Sequence, residues 1–419
     1  GGAGGASADV AEPQVKRPRV SPGAGAGVDG ACAVDITDSD VEEVAVRLVQ
    51  APPPALAARD MEQTLRISAG RAAGAAGIHP YADVGELFLE FVYQDMPELL
   101  LRDAALAGVE VVSPVAERAR LLDKSGEARS VEAALKAAAS AQGLEGARAA
   151  QEAVRVLMKA AQTSGRLTME EAEDLKQTLE LEVNLEFGAR HEDAAIAAYS
   201  AQVGRPVYGE QKRISVQLPD MDPAEALTAA FPPPGSCVTG GAVGKEAVGA
   251  ERGAGSGEAP RGSSSKAPTF FRLTGFVDGI IDLPKKGAPG GAQGGGLETL
   301  IVEVKHRMGK IRNPPNIYDL VQLGSYCRAL GCTKGHLVQC LREGATATSV
   351  GQLHVYTLDF SEGSMDRKGW DRHVLPGLYS MARAVYAARK DMEFRLRLLA
   401  TPDPRERADM VREVCPHLG

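Results

Sequence analysis

No C-x-x-C pair occurs anywhere in the chain. Its six cysteines, Cys32, Cys237, Cys327, Cys332, Cys340 and Cys415, are scattered. Spacings such as CRALGC and GHLVQC do not suit zinc, whose sites draw on closely set thiolate or imidazole donors. They also lack the compact arrangement an iron–sulfur cluster needs, and they read as reduced thiols of a cytosolic or nuclear protein. No apolar run reaches the ~18 residues of a membrane span, so no membrane partner is expected. Positive charge is also in deficit. A net charge of −8 argues against a protein that coats nucleic acid non-specifically, although a basic groove can sit on an acidic molecule.

Glycine and proline are abundant, and their 47 and 25 copies cluster in a few stretches that bury too little apolar surface to offset chain entropy. Residues 1–55 read as a disordered tail. Within it, VKRPRV (Val15 to Val20) is a basic cluster of the kind nuclear import receptors read. The nucleus is therefore the expected compartment, with an organelle as the alternative if a leader precedes Gly1. AVDITDSDVEE (Ala33 to Glu43) alternates Val34 and Ile36 before a run of acids. It resembles a SUMO-interacting motif, a short strand that adds to a partner's sheet edge, and so implies SUMO or a SUMO-modified partner.

Residues 56–415 read as one α/β (α+β) domain: a central mixed β-sheet flanked by helices, with a helical insertion at about 115–177 and flexible insertions at about 219–268 and 285–296. The segment before the insertion suggests helices interrupted at Gly77 and Pro80. Thr168 with Glu171 three residues on has the form of a capping box. GRPVYGEQKRISVQLP reads as a strand pair. The run FFRLTGFVDGIIDLP and LETLIVEVKHR are strands joined as a hairpin through the glycine-rich 285–296. An amphipathic helix follows from Asn316 and stops at Gly331. KGHLVQCL and GQLHVYTLDF are further strands, and LPGLYSMARAVYAARKDMEFRLRLLA is one long helix.

Chemistry concentrates in the hairpin. Glu303 and Lys305 follow three aliphatic residues on one strand, and alternation turns both toward the same face. Asp278 interrupts the apolar run GFVDGIID on the preceding strand. Two carboxylates held together at one end of a sheet repel unless a proton or cation sits between them. Hard oxygen donors favour Mg²⁺ or Mn²⁺. Between Ile301 and Asn313 the basic residues Lys305, Arg307, Lys310 and Arg312 face the lone acid Glu303, a local field that attracts phosphate. Lys212, Arg213, Lys285 and Lys286 extend it. His306 reads as structural, with a further phosphate contact as the alternative.

These residues resemble the PD-(D/E)XK nuclease superfamily. Asp278 looks like its first acid and Glu303-Val304-Lys305 like its acid-x-Lys element. Gln322 and Tyr326, four apart on one helical face, are similar to the Q-x-x-x-Y element of RecB-type exonucleases. GARHEDAAIAAY resembles the upstream helix of the same enzymes, with either His191 or Glu192 in the position that helps bind metal. The stretch RISAGRAAGAAGIHPY is similar to the opening of phage lambda-type (YqaJ-like) exonucleases, which makes Ser68 and Arg71 phosphate contacts.

The resemblance implies a restriction-endonuclease-like core and metal-dependent hydrolysis of DNA, from its ends, in repair or recombination. Asp278, Glu303 and the Val304 carbonyl would hold the metal with His191 or Glu192. Lys305 would orient or deprotonate water, Gln322 would steady it, and Tyr326, Arg307, Lys310 and Arg312 would contact DNA. The resemblance leaves the helical insertion uncovered, and the loop between Asp278 and Glu303 is longer than the family's compact hairpin. Two alternatives remain: a catalytically silent DNA-binding or adaptor protein on the same fold, and a structure-selective endonuclease.

Overall fold

A computed structural model describes residues 63–140, 144–219, 269–285, 296–307, 309–342 and 350–418. Val34, Ile36, the basic cluster at 15–20, Lys286 and the insertion beyond Pro219 lie outside the described residues.

The first described element is a strand, β1 (Leu65–Ser68), where the sequence pattern suggested the start of a helix. Leu65 and Ile67 are completely buried while Arg66 and Ser68 are half-buried. A two-residue alternation over four positions is too short to distinguish from one helical turn. A tight turn (Ala69–Arg71) leads into α1 (Ala72–Ala75), then α2 (Val84–Val92) and α3 (Pro97–Ala107). Asp83 caps α2 by accepting the Glu86 N–H at 3.0 Å.

The helical insertion is a bundle with a core of its own. It consists of α4 (Pro114–Ser125), α5 (Ala128–Ser140), α6 (Leu144–Thr163) and the first half of α7 (Met169–Val203). The Thr168–Glu171 capping box starts α7 as expected. Ala172, Leu175 and Leu179 recur at helical spacing and pack against Leu121, Val154 and Met158. The expected boundary near 177 falls inside α7, which runs on unbroken. Its later turns carry Ala195, Ile196 and Tyr199 onto the sheet. One helix about 50 Å long thus serves two cores.

Two mixed sheets meet at Asp278. The first has the order β1-β3-β2, with β2 (Lys212–Pro219) antiparallel and β1 parallel to β3 (Thr269–Val277). Of the strand pair expected around β2, only β2 is a strand; the preceding segment makes a single bridge between Tyr208 and Ile280. The second sheet has the order β4-β5-β6-β7: β4 (Gly279–Pro284), β5 (Leu297–Arg307), β6 (Lys334–Arg342) and β7 (Val350–Asp359). β4 and β5 form the expected antiparallel hairpin, with Gly279 opposite Val302.

β5 and β6 run parallel, joined by α8 (Ile317–Leu330). Gly331 ends α8 with a positive φ of 67°, the conformation glycine adopts without a Cβ clash. The two faces of β5 are divided by its alternation. Leu300, Val302 and Val304 pack under α7, whereas Ile301 joins the core beneath α8. Each such buried aliphatic contributes about 1.5–3 kcal/mol.

After β7 come α9 (Met365–Gly369), a wide π-helical turn (Trp370–Val374), α10 (Leu375–Lys390), α11 (Met392–Ala400) and α12 (Pro404–Val414). The single long helix expected here is broken at Asp391. That residue is extended (φ −102°, ψ 94°), and its side chain caps α11 by accepting the Phe394 N–H. An Asp offers the backbone this alternative to continuing a helix. Among the described residues no helix is long and apolar enough to cross a membrane.

Candidate active site

Asp278 is the single residue at which the chain passes from one sheet into the other. Extending the hairpin register by one pair beyond Gly279–Val302 sets it opposite Glu303. The Val304 N–H donates to Asp278 Oδ2 at 2.7 Å. The N–H and carbonyl of one strand residue project to the same edge, so the Val304 carbonyl lies on the Asp278 side as well.

Glu303 and Lys305 share the face toward α8, as alternation requires. Glu303 is only 2% exposed, and its Oε1 accepts from Lys305 Nζ at 2.7 Å. Its other oxygen, Oε2, is buried without a hydrogen-bond partner among the described residues. Lys305 Nζ also donates to Gln322 Oε1 at 3.0 Å, and Gln322 Nε2 donates to the Tyr326 hydroxyl at 3.0 Å. The side chains of Glu303, Lys305, Gln322 and Tyr326 therefore form one continuous chain of contacts.

The electrostatics are those of crowded carboxylates. Burial and the neighbouring Glu303 both push the Asp278 pKa up, with Lys305 opposing, and the two carboxyl groups lie close enough to share a proton. Burial raises Glu303 too; Lys305 opposes, and Asp319 and Glu192 add to the rise. Burial and Asp278 push Glu192 up to about 7. Burial pulls Lys305 down, but Glu303 and Asp278 outweigh it and hold the ammonium above its ordinary range.

A buried carboxylate oxygen with no donor costs more than about 1–3 kcal/mol when charged. A divalent cation would satisfy it and the Asp278–Glu303 repulsion together. Among the described residues no three carboxylate, imidazole or thiolate groups are gathered as a ready cage. The donor set that fits is Asp278, Glu303 and the Val304 carbonyl, with the remainder supplied by water. Mg²⁺ suits such a set because it retains several waters beside one or two carboxylates.

Of the two expected helix ligands, Glu192 faces the carboxylates and His191 does not. Gln211 Nε2 holds Glu192 Oε1 at 2.8 Å, from a turn residue with a positive φ of 52°. His191 is 3% exposed; its Nδ1 lies 2.6 Å from the Phe187 carbonyl and its ring packs on Phe187. Neighbouring helical residues point about 100° apart, and here His191 is turned onto Phe187 while Glu192 acts electrostatically with Asp278. His306 lies on the α7 face of β5, edge-on to Phe187 at 6.4 Å.

Several expected DNA contacts are otherwise engaged. Arg307 is paired with buried Asp319 and donates to Gln339 Oε1 at 3.1 Å. Arg71 is paired with Glu90, and Ser68 is half-buried at the end of β1 before a turn and helix too short to make an anion site. Tyr326 is 3% exposed and lies directly over Gly275, where a Cβ would come within 2.7 Å of its Cε1; its hydroxyl accepts from Gln322 Nε2. Lys310 and Arg312 are exposed. The Arg312 backbone is clamped by Gln339, which donates to its carbonyl at 2.7 Å and accepts its N–H at 3.1 Å. Lys212 and Arg213 are exposed on β2, and Lys285 is exposed at the end of β4.

Sequence reasoning passed over Asp319, Gln339 and Gln211. Asp319 alone had a signal, standing three residues before Gln322 on the same helical face. Comparison with family models, with curated proteins and with solved structures finds no match for this chain.

Proposed function

We propose that the protein is a divalent-cation-dependent nuclease that hydrolyses phosphodiester bonds of DNA, working from ends, on a restriction-endonuclease-like core. The observation that carries this reading is the contact between Asp278 and buried Glu303, whose Oε2 lacks a donor, with Lys305 fixed 2.7 Å from the same carboxylate. A hairpin carrying the acids and a parallel β5–α8–β6 crossover, covered on both faces by helices, support the likeness to PD-(D/E)XK nucleases.

When bound, Mg²⁺ or Mn²⁺ lowers the pKa of a water and offsets charge at the phosphate. The protein's own residues do the rest. Asp278, Glu303 and the Val304 carbonyl would hold the ion, with Glu192 beside them. Lys305 enters as a protonated donor and orients the attacking water, because Glu303 and Gln322 fix its Nζ from two sides. Gln322 takes its own orientation from Tyr326.

The test is digestion of 5′- and 3′-labelled linear duplex and of labelled single strands by purified protein with Mg²⁺. Asp278→Ala and Lys305→Ala are expected to lose about a hundred- to a thousandfold in turnover, the order typical of removing an electrostatic stabiliser, while still unfolding in one cooperative melt. Mg²⁺ should raise the melting temperature of the wild type and leave Glu303→Ala unmoved. Wild-type turnover in either variant would remove the mechanism. Nicking of closed circular plasmid without end-dependent digestion would replace the exonuclease with an endonuclease.

A further inference from the structure

Around Asp319 at the start of α8 lies a group of aromatic rings that the proposed hydrolysis does not use. His79 and Tyr81 belong to the turn between α1 and α2, with Pro80 between them, and Tyr318 lies in the first turn of α8. The His79 and Tyr318 rings are stacked, with centroids 4.4 Å apart and planes inclined by 26°. Tyr81 meets His79 edge-on at 6.2 Å and 76°, and it is 57% exposed.

The bland account of these rings is that His79 pins its turn onto α8. It explains the stacked pair and leaves Tyr81 unexplained, since more than half of that side chain faces water. The His79 ring is also held in place. The Tyr81 N–H donates to His79 Nδ1 at 3.2 Å, which fixes the ring and assigns the remaining proton of a neutral imidazole to Nε2. Burial keeps His79 below its ordinary range, with Asp319 opposing, so the ring offers an uncharged face.

The surroundings supply the complementary charge. Tyr318 lies within electrostatic reach of Arg307, Arg312 and Tyr81. Arg312 is exposed on a loop whose backbone Gln339 clamps. Tyr318 directly precedes Asp319, which grips Arg307, two residues beyond Lys305 on β5. Stacked rings, a guanidinium in reach and a link through the Asp319–Arg307 ion pair to the strand that carries Glu303 and Lys305 are the parts of a site that binds unpaired nucleotides: bases stack, and the backbone is held by charge. Paired bases in a duplex have their faces covered and cannot use such rings.

We infer that Tyr81, His79 and Tyr318 form a stacking platform for unpaired bases, so that the strand delivered to Asp278 and Glu303 is single-stranded DNA. The inference rests on the nuclease reading for what happens to the strand, and its test is a binding measurement that needs no cleavage. Fluorescence anisotropy in EDTA would compare three labelled probes of equal length: oligo-dT, the same backbone with abasic sites, and a blunt duplex. Wild type should bind oligo-dT on the order of tenfold or more tighter than the abasic strand, as expected for one stacked base, and tighter than the duplex. Tyr81→Ala and Tyr318→Leu should erase the base-dependent difference and keep the abasic affinity; Tyr81 is exposed, and leucine retains the apolar body of Tyr318.

Equal affinity for dT and abasic strands, preference for the duplex, no binding of any probe, or variants that retain the discrimination would each overturn the platform. Base-dependent binding in EDTA with no digestion in Mg²⁺ would uphold the platform and reject the nuclease. Digestion of duplex ends without base-dependent binding would do the reverse.

Discussion

Asp278, Glu303 and Glu192 act on one another electrostatically with Lys305 as the neighbouring ammonium, and the excess of acid has a consequence for stability. Burial, together with the neighbouring carboxylates, holds Asp278 and Glu192 above their ordinary range, Glu192 at about 7. An unfolded carboxylate titrates near ~4. Between those values the folded chain binds more protons than the unfolded one, so stability falls as pH rises. This contribution is fully present below about pH 4 and is lost as pH rises through about 7. Thermal melts in EDTA should therefore show the wild type declining from pH 5 to 8.5. Asp278→Asn should flatten that decline and melt higher than wild type at pH 8.5. Parallel pH profiles for the two proteins would mean that the carboxylates are not in repulsive contact. Asp278, Glu303 and Lys305 were legible in the sequence because charges rarely interrupt an apolar strand without a reason. His191 and Glu192 were not separable there, since adjacent positions carry no information on which one a tertiary neighbour will face.

At the scale of elements, α8 organises the site. Asp319, Gln322 and Tyr326 fall on one helical face by their spacing of three and four. That face meets Arg307 and Lys305 of β5. The helix can sit this close to β3 because position 275 is glycine, with the Tyr326 ring filling the space a side chain would take. Gly275→Val should displace Tyr326, cost about 1–3 kcal/mol as overpacking does, and lower kcat more than KM because Gln322 and Lys305 lose their alignment. Denaturant melts with steady-state kinetics would check both effects; normal kcat in a destabilised variant would detach Tyr326 from the site. Helix existence and the hairpin were readable from period and punctuation. The break at Asp391 and strand β1 were not, because one residue's cap and a four-residue alternation are decided by packing partners far along the chain.

Across the whole molecule, buried arginines tie distant segments together. Arg395, 3% exposed at its side chain, donates from Nε to fully buried Asp103 at 2.6 Å, joining α11 to α3. Arg389, completely buried, donates to the Val92 and Phe91 carbonyls at 3.1 and 2.9 Å and to that of Gln63 at 2.6 Å. It thereby satisfies the C-terminal end of α2 from α10. Asp103→Ala leaves a buried guanidinium uncompensated and should cost about 3–5 kcal/mol. Replacing both partners, Asp103→Leu with Arg395→Met, should recover part of that loss. Chemical denaturation would measure both, and a loss below about 1 kcal/mol in the single variant would contradict the pairing.

The sequence by itself determined the local matters: where strands alternate, where helices are capped by Thr168 or closed by Gly331, and that Glu303 and Lys305 must share a face. Periodicity and backbone sterics act over a few residues, so they are written in the order of the chain. Only the tertiary structure decided which partner each charge found. It gave Arg307 to Asp319, Arg71 to Glu90, Tyr326 to the space above Gly275, and Glu192 in preference to His191 to the carboxylates. It also brought His79 from one end of the described chain against Tyr318 from the middle. Those pairings depend on desolvation and on distances across sheets and helices, which residues remote in sequence acquire only when the chain has packed.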